Sequence, residues 1–243
     1  MATFVLVHGA WHGGWCYRET AHALRAAGHS VFTPTHTGVG ERFHQSSEAI
    51  TLETHIRDVC GCIEFEELTD IVLVGHSYGG MVITGVADRL GDRIKALVYL
   101  DAFLPDNGDS VIALIQRALP AEVAAVFLGA FHGTAGAAHS GLMQPIPAAM
   151  FGIRPENQAR VDRLCRPQAL ATFELPVLLS AGGGATIASR HYILADAWDP
   201  SPFRHFAAKV EGLAGWTLTK MQCSHDVMVD MPVELADALM KFA

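Results

Sequence analysis

Ile71-Val72-Leu73-Val74-Gly75-His76-Ser77-Tyr78-Gly79-Gly80 is the stretch from which the fold of this chain is read. Four consecutive aliphatic residues closed by a glycine have the character of a strand buried on both faces. After Gly80 the spacing turns helical over residues 81–90, with Gly91 as its stop. Ser77 therefore stands on a tight strand-to-helix turn. Such a turn strains the backbone of the serine, and glycines two before and two after it keep side chains clear of neighbouring backbone. The start of the helix adds the positive end of a dipole, which favours negative charge developing nearby. G-x-S-x-G in this setting presents a serine hydroxyl as a nucleophile.

The alternation continues on both sides of this turn. Upstream lie an apolar run at 4–7, a break at Gly13-Gly14, a helical pattern over 17–27 with Ala21, Leu24 and Ala27 on one face, and a short strand at Val31-Phe32. A second helical pattern, 52–66, carries Ile56, Val59, Cys60 and Ile63 together. Downstream come strands at 94–100, 191–195 and 216–221, a helix at 202–209, and a C-terminal stripe of Val233, Ala236, Leu239 and Met240. Buried strands alternating with helices predict an α/β architecture with about six mostly parallel core strands. Between 104 and 189 the alternation lapses into Ala, Gly, Pro and Met, with helical pieces at 112–117 and 122–131. We read 1–103 and 190–243 as the core and 104–189 as a helical cap inserted over one edge of the sheet.

Composition narrows the function. The chain has 243 residues, 50% of them hydrophobic and 17% charged, which suits one domain with a full core and excludes disorder. Seventeen Lys and Arg against 25 Asp and Glu leave a net charge of -8 without a basic cluster, so no nucleic acid partner is expected. No apolar stretch of about 18–20 residues exists to span a membrane, and Met1-Ala2-Thr3-Phe4-Val5 lacks the basic start of a secretory signal. Cys16, Cys60, Cys62, Cys165 and Cys223 are odd in number and irregularly spaced, which reads as free thiols in a reducing cytoplasm. An oligomer is compatible with these features.

A nucleophilic serine needs a base, and in this chain order the base follows the last strand. His225, in Gln222-Cys223-Ser224-His225-Asp226, occupies that place. Backbone N–H groups of Tyr78 and of Ala10, the latter in the small-residue loop His8-Gly9-Ala10-Trp11-His12-Gly13-Gly14, are the expected donors to an oxyanion. The acid that orients His225 has three candidates. Asp101 ends the strand after the nucleophile's, where a buried carboxylate needs a partner; Asp199 and Asp196 follow the next sheet strand, and Asp199 before Pro200 also reads as a helix cap. Asp101 is preferred, with Asp199 as the alternative. Trp11 and Phe103 at the sheet edge, with Phe127, Phe131, Met143 and Met150 from the cap, suggest an apolar pocket for a small, neutral, aromatic substrate. No cofactor is required. His8 and His12 lie on a loop without an accompanying carboxylate motif, so no metal site is expected.

The motifs quoted above, from Phe4 to Trp15, Gly75 to Gly80 and Asp101-Ala102-Phe103-Leu104-Pro105-Asp106, resemble the methylesterase and hydroxynitrile lyase branch of the α/β-hydrolases over nearly the whole chain. The pattern is most similar to bacterial members, among them benzimidazole carbamate hydrolases of the carbendazim type. The resemblance implies cleavage of esters or methyl carbamates through an acyl-enzyme. Plant members take their acid after the later strand, whereas Asp101 resembles the acid position of some haloalkane dehalogenases. Lyases of the branch carry Thr after the first-strand His and Lys after the catalytic His; here those places hold Gly9 and Asp226, so hydrolysis is preferred to lyase chemistry. A hydrolase fold reused as a ligand-binding receptor usually has a damaged triad, and none is evident here.

Overall fold

A computed structural model describes residues 1–136 and 140–243. Among the described residues the strands are β1 (Thr3–Val7), β2 (Ser30–Phe32), β3 (Ile71–Ser77), β4 (Ile94–Ala102), β5 (Leu142–Met143), β6 (Gln168–Ala169), β7 (Ser189–Ala195) and β8 (Trp216–Met221). The α-helices among them are α1 (Arg18–Ala26), α2 (Leu52–Phe65), α3 (Gly79–Leu90), α4 (Val111–Ala118), α5 (Ala121–Ala135), α6 (Pro155–Leu164), α7 (Ala171–Glu174), α8 (Phe203–Val210), α9 (Val227–Asp230) and α10 (Pro232–Met240). Six strands form one parallel sheet in the order β2-β1-β3-β4-β7-β8. The predicted parallel sheet of six is thus the observed one.

Burial explains the arrangement. Phe4, Val5, Leu6 and Val7 of β1 and Ile71 to Val74 of β3 are fully buried, as expected of central parallel strands covered on both faces. Helix α1 packs on α10, and α2 on α3. At the α2–α3 contact a Cβ on Gly85 would lie 2.3 Å from Ile56 Cδ1, so the Ile56 side chain fills the space that residue 85 leaves open. Among the described residues no helix is long and apolar enough to cross a membrane.

The chain between β4 and β7 folds over the carboxyl ends of the central strands. Gln168 Oε1 accepts the Trp11 backbone N–H at 2.9 Å, and the Arg166 N–H donates to the Trp11 carbonyl. This segment also pairs β5 with β6 as a short antiparallel ladder. Two-residue strands have no periodicity to read, and sequence patterning misses them. The carboxyl edge of the sheet, where the nucleophile turn lies, is thereby roofed by helices.

Candidate active site

Ser77 closes β3 with φ at +54°, a strained value for a residue with a side chain. The flanking glycines are steric requirements. A Cβ on Gly75 would lie 2.6 Å from the Gly79 carbonyl oxygen, and one on Gly79 would lie 2.8 Å from the Val7 and His8 carbonyl oxygens. The turn therefore wedges Ser77 against the end of β1, next to the loop that carries Ala10. Among the described residues neither the Ala10 nor the Tyr78 backbone N–H is engaged by a protein acceptor. The Tyr78 ring is fully buried, and its hydroxyl lies 2.9 Å from His55 Nδ1.

Behind Ser77 the structure brings His225 and Asp101 together. His225 Nδ1 donates to Asp101 Oδ2 at 2.7 Å, which leaves the Nε2 lone pair facing the cavity that Ser77 also lines. Asp101 is completely buried at the end of β4 and accepts two further bonds, from Trp198 Nε1 at 3.0 Å and from the Ala195 N–H at 3.1 Å. Burial pushes its carboxyl above the usual range, against the pull of His225, Trp198 and Ala195. The two other acids are turned away. Asp199 is exposed and meets Arg204 Nε at 3.3 Å, and Asp196 pairs with Arg204 Nη1. Helix α8, which begins just after them, holds Arg204 over this loop and directs both carboxylates outward.

An apolar cavity of about 40 Å³ opens on Ser77 and His225, lined by Trp11 and Phe103 and by Ile115, Leu119 and Phe203 among others. Phe127, Phe131, Ile146 and Phe151 line it too, and the same four border a wider cavity of about 740 Å³ beyond. Met143 corrects the sequence reading. Its pairing within the β5–β6 ladder turns the side chain into the core, fully buried, and only its carbonyl approaches the site, accepting the Trp11 indole N–H at 3.3 Å. Met150 is 67% exposed and lines the outer cavity instead. Sequence reasoning missed Phe151, Trp198 and Phe203. The Phe203 ring lies parallel to His225 at 5.0 Å, and Trp198 sits inside the very loop searched for an acid.

Two histidine clusters surround this centre. His8, His36 and His55 are fully buried; His8 Nδ1 donates to the Gly9 carbonyl at 2.7 Å while its Nε2 accepts the His36 backbone N–H at 3.1 Å. Burial pulls His8 down to about 3 and His55 down to about 4, so both are neutral near pH 7. His12 behaves oppositely. Burial opposes its proton, but the Cys165 sulfur and the Asp226 carboxylate, 2.9 Å from Nε2, outweigh it and raise His12 well above the ordinary histidine range.

A strained serine on a strand-to-helix turn, faced by a histidine after the last strand, is the arrangement of a hydrolase. The Alpha/beta hydrolase family matches residues 4–238, and the chain belongs to that family. Within it, the carbendazim hydrolyzing esterase of Nocardioides sp. (strain SG-4G) is 65% identical over 239 residues, spanning 98% of each chain. Esterase PIR7B of Oryza sativa subsp. japonica is 27% identical over 269 aligned positions, 99% of this chain and 95% of that one. Among solved structures, an extracellular α/β-hydrolase from a Paenibacillus species, described as a structural and functional homologue of tobacco salicylic acid-binding protein 2, superposes with a TM-score of 0.77. It is 25% identical, over 100% of this chain and 99% of that one.

Proposed function

We propose that this protein is a serine esterase that hydrolyses methyl carbamates of flat aromatic amines, carbendazim among them, together with short neutral esters. Ser77 attacks the carbonyl, His225 takes its proton and returns it to the leaving group, Asp101 keeps Nδ1 of His225 protonated, and the Ala10 and Tyr78 N–H groups hold the oxyanion. The observation that carries this reading is the Ser77, His225 and Asp101 constellation facing an apolar cavity. The 65% identical esterase supports the choice of substrate. Size supports the orientation: a benzene ring occupies a cavity of roughly 150 Å³, whereas the inner cavity here is about 40 Å³. A methoxy or acetyl group fits inside, and the aromatic part extends past Phe127 and Phe151 into the outer cavity of about 740 Å³.

Nitrogen lone-pair donation makes a carbamate carbonyl less electrophilic than an ester's, so the oxyanion donors and His225 carry more of the barrier. Lyase chemistry is disfavoured by Asp226, a buried anion beside His225 where a departing cyanide would need a cation. A receptor role is disfavoured by the pairing of His225 with Asp101 beside the cavity that Ser77 lines. A cytosolic setting belongs to the same reading and agrees with five free cysteines. Incubation with carbendazim, followed by chromatography for 2-aminobenzimidazole, is expected to show product, and Ser77→Ala is expected to lose about 10⁴ to 10⁶ in kcat. Absence of product while p-nitrophenyl acetate is still cleaved leaves a general esterase and removes the carbamate substrate.

A further inference from the structure

The loop that carries His225 also carries Asp226, a completely buried carboxylate with no part in the reaction above. Its Oδ2 accepts from His12 Nε2 at 2.9 Å, and His12 Nδ1 donates to the Ala10 carbonyl at 2.7 Å. A carboxylate and a carbonyl only accept, so His12 carries both protons and its ring is a cation. Asp226 Oδ1, by contrast, meets no donor. The Nε2 of His76 lies 3.8 Å from it, and that nitrogen donates to the His225 carbonyl at 3.0 Å instead. A buried carboxylate oxygen without a donor is costly. Beside this residue lies a void of about 10 Å³, lined by His12, His76 and Asp226 among others, which shares Ala10, Trp11, Ser77, Phe151 and His225 with the apolar cavity. That volume suits a single water held by polar partners.

We propose that this void binds one water on Asp226 Oδ1 and that this water hydrolyses the acyl-enzyme. The inference rests on the serine esterase reading of Ser77. With one hydrogen donated to Asp226 and the other to His225 Nε2, the water keeps a lone pair for the acyl carbon. As the new carbon–oxygen bond forms, His225 takes the proton. Collapse of the oxyanion then breaks the bond to Ser77 Oγ, which recovers that proton from His225, and the acid departs. Asp226 stays ionised throughout beside the His12 cation. The donor atoms of His76, His225 and Asp226 lie within 4.8 Å of one another, but the His12 cation on the same carboxylate and the engaged His76 proton favour water over a metal ion.

Asp226→Leu fills the void and removes the acceptor. In stopped-flow assays with p-nitrophenyl acetate, Asp226→Leu should release the first equivalent of p-nitrophenolate within about 3-fold of the unaltered rate. Its steady-state turnover should fall at least about 10-fold, so that the burst approaches one equivalent per site. Equal slowing of both phases by Asp226→Leu, or no slowing of either, overturns the water site and leaves the esterase reading intact. That reading fails separately if folded Ser77→Ala retains turnover. Should Asp226→Leu not fold, a crystal structure of the unaltered protein decides: one water within about 3.2 Å of Asp226 Oδ1 is expected, and an empty or ion-filled void overturns the proposal.

Discussion

Three donors converge on the Asp101 carboxylate, from His225, Trp198 and Ala195, and this distinguishes it from the acids competing for the role. An amide at position 101 keeps the shape but accepts differently and lets His225 take the wrong tautomer, a change that costs about 10⁴ in kcat in the related protease case. Asp101→Asn is therefore expected to be crippled. Asp199→Asn, at an exposed residue paired with Arg204, should stay within a few-fold. Measured kcat values on equally folded proteins check this, and the opposite ranking moves the acid to the later loop. At this scale Ser77 and His225 were legible because their placement follows from local turn geometry and chain order. Asp101 was legible through the cost of burying a carboxylate at a strand end. The His12–Asp226 pair was not, since 214 residues separate its members.

Helix α4 and the turn after it form one wall of the inner cavity through Ile115 and Leu119. The hydrophobic periodicity of this element is readable, but which side chains meet the substrate depends on how the segment between β4 and β7 packs over the sheet. Met143 illustrates the difference. A two-residue strand takes its facing from Gln168, its partner 25 positions away, and no local pattern records that pairing. Phe151, in a short 3-10 turn, is brought onto His225 by the same packing, at 5.1 Å between rings. Leu119→Ala should lengthen the inner cavity. On p-nitrophenyl esters, where the acyl group is expected inside, the hexanoate-to-acetate ratio of kcat/KM should rise about 10-fold or more, given 1–3 kcal/mol per methylene. An unchanged ratio would mean that the acyl group lies in the outer cavity.

Over the whole molecule the buried histidines give stability a direction in pH. His8, His36 and His55 are held below the ordinary 6.5 by burial, to about 3 for His8 and about 4 for His55. The unfolded chain binds these protons below pH about 6.5 while the folded chain refuses them, so stability is full above that pH and falls as pH drops toward about 3–4. His12 runs the other way: its contribution is full below about 6.5 and lost only as pH rises through its raised folded value. Between pH 7.5 and 5 these three, joined by His76 and His191, which burial also holds below 6.5, outnumber it. Each contributes about 1–2 kcal/mol over that interval, so Tm should fall by at least about 5 °C. A Tm constant from pH 8 to pH 5 would mean that these rings protonate without unfolding.

The position of Asp101 has a consequence for how such a protein changes over generations. The proposed nucleophile and acid close adjacent central strands, and the roof over the site enters only after both, returning to the sheet where Ser189 pairs with Ala96. Lineages can therefore lengthen, shorten or rewrite that intervening stretch without disturbing the register on which Ser77 and Asp101 depend. New substrate ranges are then open to selection as exchanges within one continuous piece of coding sequence, so long as position 151 still offers its carbonyl to the His225 N–H.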